Sequence, residues 1–340
     1  MTINLISPKN NEILSLISEL HQKFFEDGGN KYSGLESFDY MNLYAAGIDN
    51  SFPEGIEFKW ETELTSVYIL LSNNQDMLES KKILVNGNSF KLYNLIPDTK
   101  YYWQVISTDN TCFSEIFCFE TNENLPRWIK ASDTTTKSEL GVTNVRDLGG
   151  WKSNGKKVKF EHIYRGSEFD DHIILTDYAK NVLLNDIKIK TDFDVRTSKT
   201  DTSPLGKDIN YVNIPMHGAY ERISEFKDDY KEMFKVFTKA ENYPLYIHCW
   251  GGADRTGTLI CLLLGILGVN QEDLFLEYEL TSFSVWGPRS SNSELFMGLR
   301  EELDKYGSDT DSINKKCENF VLSTGITQEE IETIRNILLE

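Results

Sequence analysis

Pro244-Leu-Tyr-Ile-His-Cys-Trp-Gly-Gly-Ala-Asp-Arg-Thr-Gly257 is the run that organises this chain. It sets Cys249 and Arg255 six positions apart, between a short buried strand (Leu245, Tyr246, Ile247) and an apolar run over residues 259–267 that is long enough for a core helix. Residues 249–255 must then turn tightly from one to the other. A turn of this kind, ending on a helix N-terminus, aims successive backbone N–H groups at one point, which is what holding a phosphate dianion requires. Gly251 and Gly252 open backbone angles closed to other residues, and Gly257 lets the new helix pack closely. Arg255 brings a planar fork of donors for two phosphate oxygens. The same donors and the helix dipole favour a thiolate at Cys249, pulling its pKa below the ordinary value of about 8.5. The expected phosphate cradle is Trp250, Gly251, Gly252, Ala253, Asp254 and Arg255, with Cys249 beneath it.

A buried cysteine is more often an inert small hydrophobe than a nucleophile. Cys249 differs in its company: the preceding strand, His248, two glycines, Thr256-Gly257 and an apolar helix. Thr256 can hydrogen-bond a departing thiolate or simply cap the helix. His248 reads as fixing the loop through its ring nitrogens, or as a satisfied core residue. Arg165 and Arg196 read as electrostatic supports for the loop, as a second anion contact, or as internal salt-bridge partners. Trp250 offers an apolar wall for an aryl group, or packs on its own domain. The five histidines and five cysteines are too scattered for metal-ligand spacing, so neither metal nor cofactor is expected.

The loop resembles that of the tyrosine phosphatase superfamily, His-Cys-x5-Arg-Ser/Thr. Within it the chain is most similar to the bacterial branch that also holds dual-specificity and lipid-active members. Asn144-Val-Arg-Asp-Leu-Gly-Gly-Trp151 with His162-Ile-Tyr-Arg-Gly-Ser167 looks like that branch's opening hairpin and arginine-bearing turn. Asp192-Phe-Asp-Val-Arg-Thr197 looks like its isoleucine-aspartate-leucine-arginine strand, residues 277–282 like the helix after its active site, and Gly325-Ile-Thr-Gln-Glu-Glu-Ile-Glu-Thr-Ile-Arg335 like its closing helix. The likeness spans about residues 140–340. It implies an α/β cysteine-dependent phosphatase domain, a short central sheet flanked by helices. It also implies hydrolysis of a phosphomonoester through a phosphocysteine, with Cys249 as nucleophile and Arg255 stabilising the transition state.

A leaving phenolate or alkoxide needs a proton, and the hydrolysing water later needs a base. In most of the superfamily an aspartate does both, after the strand that precedes the cysteine strand. Here Tyr211-Val-Asn-Ile-Pro-Met216 is followed by His217-Gly-Ala-Tyr-Glu221, without one. The branch often ends its loop Lys-Asp-Arg with the aspartate as acid, and this chain has Ala253-Asp254-Arg255, keeping the aspartate and lacking the lysine. Asp254 is therefore the first candidate. His217, Glu221 and the more distant Asp228 and Asp229 follow, the last two reading most simply as a solvated helix face. Lipid-active members hold extra phosphates with basic loop residues, so Ala253, Trp250 and Asp254 weigh toward a phosphoaryl group, a phosphotyrosine or dual-specificity substrate. A phosphoinositide or inositol phosphate is the first alternative, and a non-catalytic phosphate-binding scaffold the second.

The chain's 340 residues suit two domains, and 40% hydrophobic residues suffice for proper cores. A formal net charge of −18 argues against nucleic acid and anionic membrane surfaces as partners. No basic-then-apolar leader and no long uncharged apolar run is present, so a soluble cytoplasmic protein is expected, with its thiols reduced and Cys112 and Cys118 unpaired.

Before the loop domain the periodicity changes. Segments at residues 55–60, 66–71, 89–93, 101–106 and 116–120 alternate aromatic and β-branched residues between turns, the pattern of a β-sandwich. Residues 95–105, Leu-Ile-Pro-Asp-Thr-Lys-Tyr-Tyr-Trp-Gln-Val, resemble a fibronectin type III domain at its tyrosine corner, which places such a sandwich at 1–122. It would hold Trp60 and Trp103 in or near its core and could receive a protein partner. An amphipathic helix is expected at residues 11–26, with Ile13, Leu16, Ile17, Leu20 and Phe24 on one face. Residues 123–139 read as a linker pinned by Trp128 and Ile129, and 140–340 as the phosphatase-like domain. Four helices are expected after the loop helix, at residues 273–280, 293–305, 313–322 and 328–339.

Overall fold

Every second side chain of Ile56–Glu61 is buried, placing Ile56, Phe58 and Trp60 on one face, and the same alternation builds a whole unit around them. The computed structural model describes residues 2–29, 48–123, 125–134, 140–197 and 200–340. It contains two compact units, Met1–Glu19 with Pro53–Arg127, and Leu20–Phe52 with Trp128–Glu340. The strands of the first unit are β1 (Asn4–Ser7), β2 (Glu12–Leu14), β3 (Ile56–Glu61), β4 (Ser66–Ser72), β5 (Lys81–Asn86), β6 (Ser89–Leu92), β7 (Thr99–Ser107) and β8 (Phe117–Thr121). They form a three-stranded sheet, β1-β3-β6, and a five-stranded sheet, β2-β8-β7-β4-β5. Phe58 and Trp60 of the first sheet share one apolar core with Val67, Ile69, Trp103, Val105 and Phe119 of the second. Each such large side chain contributes about 1.5–3 kcal/mol by leaving water. The Tyr101 hydroxyl accepts the Ile96 N–H at 2.9 Å, closing the bend that leads into β7.

One expectation fails here. Residues 11–26 are not one helix: Asn11 has a left-handed backbone (φ 63°), β2 pairs in parallel with β8, and Ile13 is exposed. Ser15 turns the chain by bonding the Ile17 N–H, and only α1 (Glu19–Glu26) is helical. That helix packs in the second unit rather than in the sandwich. His21 and Phe24 pack on Phe283, with ring centroids 4.5 and 5.0 Å away, inside the second unit. Within the span read as a linker at 123–139, the chain is pinned down at the expected residues. Trp128, Ile129 and Ala131 are buried, because apolar side chains in a polar run still seek a core. Residues 124 and 135–139 lie outside the described residues.

The second unit is built on a six-stranded sheet. In chain order its strands and two flanking ones are β9 (Arg127–Trp128), β10 (Arg146–Asp147), β11 (Lys152–Ser153), β12 (Lys156–Lys157), β13 (Ile163–Gly166), β14 (Thr191–Asp194), β15 (Asn210–Asn213) and β16 (Leu245–His248). The sheet order is β15-β14-β16-β13-β10-β9, with β11 and β12 pairing as a separate hairpin. β13, β14, β15 and β16 run parallel, and β10 turns back against β13. The remaining helices are α2 (Asp177–Asn181), α3 (Lys227–Phe237), α4 (Asp254–Leu267), α5 (Gln271–Glu279), α6 (Glu294–Asp304), α7 (Ile313–Ser323) and α8 (Gln328–Leu338). α4 is apolar all round because it is buried all round, every residue from Thr256 to Leu267 being out of water. It ends where Gly268 takes the left-handed conformation (φ 86°) that caps a helix. The four helices read from the sequence after α4 are all present, their ends within two residues of expectation. Among the described residues no helix is long and apolar enough to cross a membrane.

Candidate active site

Parallel pairing aligns Gly166, Asp194 and His248 in one row at the carboxyl ends of β13, β14 and β16. Open parallel sheets bind ligands beyond that edge, and there the chain leaves β16 at Cys249 and re-enters regular structure at Asp254.

The loop between them is held from outside by its carbonyls. The Cys249 carbonyl meets His248 Nδ1 at 3.1 Å, and the Trp250 carbonyl accepts the Glu168 N–H at 2.9 Å. Asn144 Nδ2 donates to the Gly251 carbonyl at 2.9 Å. Arg165 donates to the Gly252 carbonyl and, at 3.3 Å, to that of Ala253. Across a trans peptide each N–H points opposite to its carbonyl, so the N–H groups of residues 250–254 face inward. None of the five is hydrogen-bonded to another described residue. Gly252 makes the curvature possible: its φ is 63°, and a Cβ there would stand 2.0 Å from the Gly166 carbonyl oxygen.

Cys249 is buried, which works against a thiolate. The hydroxyl and N–H of Thr256, then the Arg255 charge, outweigh that penalty and hold its pKa below the ordinary thiol value. The Thr256 hydroxyl is buried and is engaged by no other described residue, so it is available to the thiolate. Arg255 makes no hydrogen bond or ion pair among the described residues, and its guanidinium rests 5.0 Å from the Trp250 ring. Trp250 is 43% exposed and meets His172 edge-on, with centroids 5.2 Å apart. On its far side the loop is covered by Trp286, which a Cβ on Gly251 would strike at 2.6 Å.

Behind the loop, cations and carboxylates are matched. Glu277 of α5 takes Arg146 at 2.7 Å through one oxygen and Arg165 at 2.6 Å through the other, all three buried. Burial, and then repulsion from Arg165, push the Arg146 pKa down to about 9. Arg146 also anchors Asn144 by a 2.6 Å bond to Oδ1, fixing the amide that carries Gly251. Asn144 is further held by its N–H, which donates to Ser51 Oγ at 2.8 Å. His248 Nε2 lies 2.8 Å from Asp192. Burial disfavours a charge on that ring, but Asp192 and then Asp194 raise its pKa to about 9, so it is a cation donating at both nitrogens.

The expected site residues therefore part company. Cys249, Trp250, Gly251, Gly252, Ala253, Asp254, Arg255 and Thr256 come together, with His248 and Arg165 directly supporting them. Arg196 is no second anion contact: it is bound to Asp194 at 2.9 Å, Asp170 at 2.8 Å and Glu168, and these carboxylates consume its charge. His217 stands half exposed on Asp229 at 2.9 Å, stacked on Phe226, and Glu221 is exposed nearby. Neither bonds a loop residue. Asp228 is exposed in the first turn of α3. Asp254 is not a free acid but a paired carboxylate, bound by Arg289 Nε at 2.8 Å and Nη2 at 2.9 Å and by the Tyr220 hydroxyl at 2.6 Å. Glu168, Asp171 and His172 gather within 4.8 Å, a grouping that sequence spacing missed, although Glu168 is already bound to Arg196 and His172. No disulfide joins the five cysteines.

Sequence reasoning overlooked Asn144, Asp192, Glu277, Tyr220 and Arg289. The first three sit inside segments that carried the family resemblance, so a signal existed but no role was legible. Nothing near Arg289 connects it to a residue 35 positions earlier.

The tyrosine phosphatase family matches residues 139–340. A Cupriavidus necator protein named as a tyrosine-protein phosphatase is 24% identical over 193 residues, covering 47% of this chain and 69% of its own length. Among solved structures, the core catalytic domain of the PP-IP phosphatase SIW14 from S. cerevisiae is 21% identical, covering 36% of this chain and 71% of that one, with a TM-score of 0.30. DUSP15 is 18% identical, covering 47% and 91%, with a TM-score of 0.31.

Proposed function

Because the chain belongs to the tyrosine phosphatase family and is a tyrosine-phosphatase-like phosphoric monoester hydrolase, we propose that it hydrolyses aryl phosphate monoesters of the phosphotyrosine kind through a phosphocysteine. One observation carries this reading: five loop carbonyls are tied outward, leaving five N–H groups and the unpaired Arg255 converging above a thiol of lowered pKa. The Cys249 thiolate attacks phosphorus and the P–O bond to the leaving group breaks, the departing oxygen taking a proton from Asp254. Inward N–H groups and Arg255 meet the charge that develops on the equatorial oxygens. Water then attacks the phosphocysteine, Asp254 takes its proton, and Thr256 receives the departing thiolate.

The preference for a single phosphate rests on what the surrounding cations already bind. Arg165, Arg196 and Arg289 are each paired with a carboxylate, leaving Arg255 without one. A polyphosphorylated inositol would need further free cations at the rim. Exposed Trp250 supplies a flat apolar wall suited to a phenyl ring. The first unit reads as a fibronectin type III-like sandwich offering a surface to a protein partner, supported by its three-plus-five sheet grouping and the Tyr101 corner bond. A reactive thiol fits a reducing compartment such as the cytoplasm.

The test is hydrolysis of p-nitrophenyl phosphate and phosphotyrosine with chelator present. Chelator-resistant turnover that Cys249→Ser reduces to background is expected, whereas full activity in Cys249→Ser would sink the thiol mechanism.

A further inference from the structure

Resting on the acid–base role read for Asp254, we infer that Arg289 and Tyr220 are positioning residues that orient the Asp254 carboxyl and fix the pH at which it gives up its proton. The geometry is specific. Arg289 grips both carboxylate oxygens, Nε on Oδ1 and Nη2 on Oδ2. Tyr220 adds a second donor to Oδ1 at 2.6 Å, and its own hydroxyl lies 2.8 Å from that of Tyr278. Oδ1 thus accepts two bonds and Oδ2 one, so Oδ2 is the oxygen left to carry the transferable proton.

The donors come from distant parts of the chain. Tyr220 follows β15 in a conformation unusual for a bulky residue (φ 53°), Tyr278 comes from α5, and Arg289 from the loop between α5 and α6. The backbone of that last loop is itself fixed, since the Arg289 N–H donates to Ser282 Oγ at 2.8 Å and Ser282 Oγ donates to the Arg289 carbonyl at 3.0 Å. Ala253 puts no cation on the N-terminal side of Asp254, and Arg289 brings one from outside the loop.

The charges facing Asp254 are Arg289, Arg165 and the Cys249 thiolate, with the hydroxyls of Tyr220 and Tyr278 alongside. Burial favours the protonated acid, but Arg289 and then Tyr220 overcome it and hold Asp254 below the usual carboxylate value. When Asp254 donates to the leaving oxygen it becomes the ion that Arg289 stabilises. When it later accepts a proton from the attacking water, that pairing is weakened again. No atom beyond substrate and water is needed for the cycle.

The experiment is kcat/KM for p-nitrophenyl phosphate from about pH 2.5 to 8 in the full chain, a range that includes the wild-type limb set by an acid held below the usual carboxylate value. Without Arg289 the acid keeps its proton to higher pH, so the alkaline limb of Arg289→Met should move up by about one to two pH units. Arg289→Lys should move it less, since the charge remains and the fork is lost. Tyr220→Phe should move it in the same direction and keeps the test open if Arg289→Met does not fold. A merely structural role would lower the amplitude and leave the limb in place. Limbs unmoved in both Arg289→Met and Tyr220→Phe overturn the inference. Asp254→Asn separates this from the underlying reading: if it retains the wild-type alkaline limb, Asp254 is not the acid at all.

Discussion

His248 shows how one residue can bind structure to chemistry. Its ring sits between Asp192 and the Cys249 carbonyl, 1% exposed, and its pKa is raised to about 9 against about 6.5 in an unfolded chain. The folded state therefore binds this proton more tightly. The resulting stability is complete below about pH 6.5 and is lost as pH rises through about 9. Urea unfolding at pH 6 and pH 9 should show wild-type stability falling by on the order of 1–3 kcal/mol. In Asp192→Asn that fall should be largely absent, and an equal fall in both proteins would mean another group titrates. From the sequence, His248 was legible as a loop-fixing residue, yet its charge was not. The aspartate that sets it lies 56 positions away, and only the parallel register of β14 and β16 brings the two together. Cys249, Arg255 and the glycines were legible because loop, strand and helix are contiguous in the chain. Residues that support them from other strands leave no local pattern.

Between elements, the decisive joint is Glu277, where α5 meets β10 and β13. One buried carboxylate holds two buried guanidinium groups, so Glu277→Gln strands two charges rather than removing one bond. A loss of about 3–5 kcal/mol is expected, measured as a shift in the denaturant midpoint with an unchanged slope. A change below about 1 kcal/mol would show that water reaches Arg146 and Arg165. Elements whose periodicity is set by one buried face were readable, as in β3, β4, β7 and α5 to α8. β5 was not, because Lys81, Lys82 and Asn86 are exposed and only Val85 is buried. The helix read across residues 11–26 failed for a related reason. Ile13, Leu16 and Phe24 fall at helical spacing, yet Leu16 serves the core of one unit and Phe24 that of the other.

For the whole molecule, charge is the property that reaches furthest. At −18 the protein repels a phosphate dianion at distances where the loop's own donors are not yet felt. Raising ionic strength from about 0.01 to 0.15 M shortens the Debye length from about 30 to 8 Å, so kcat/KM for a dianionic substrate should rise while kcat stays level. A decrease would show that the positive site dominates approach. The order of the two units along the chain has a different consequence. The second unit takes residues 20–52 from within the span that builds the first, and resumes only at Trp128. On a ribosome the sandwich is complete once residue 127 has emerged, while α1 and Ser51 wait for Phe283 and Asn144 to be made. A nascent chain must therefore keep an early segment of the later unit unpartnered through much of its own translation. Neither unit is one contiguous stretch of chain, so a single cut does not separate the two.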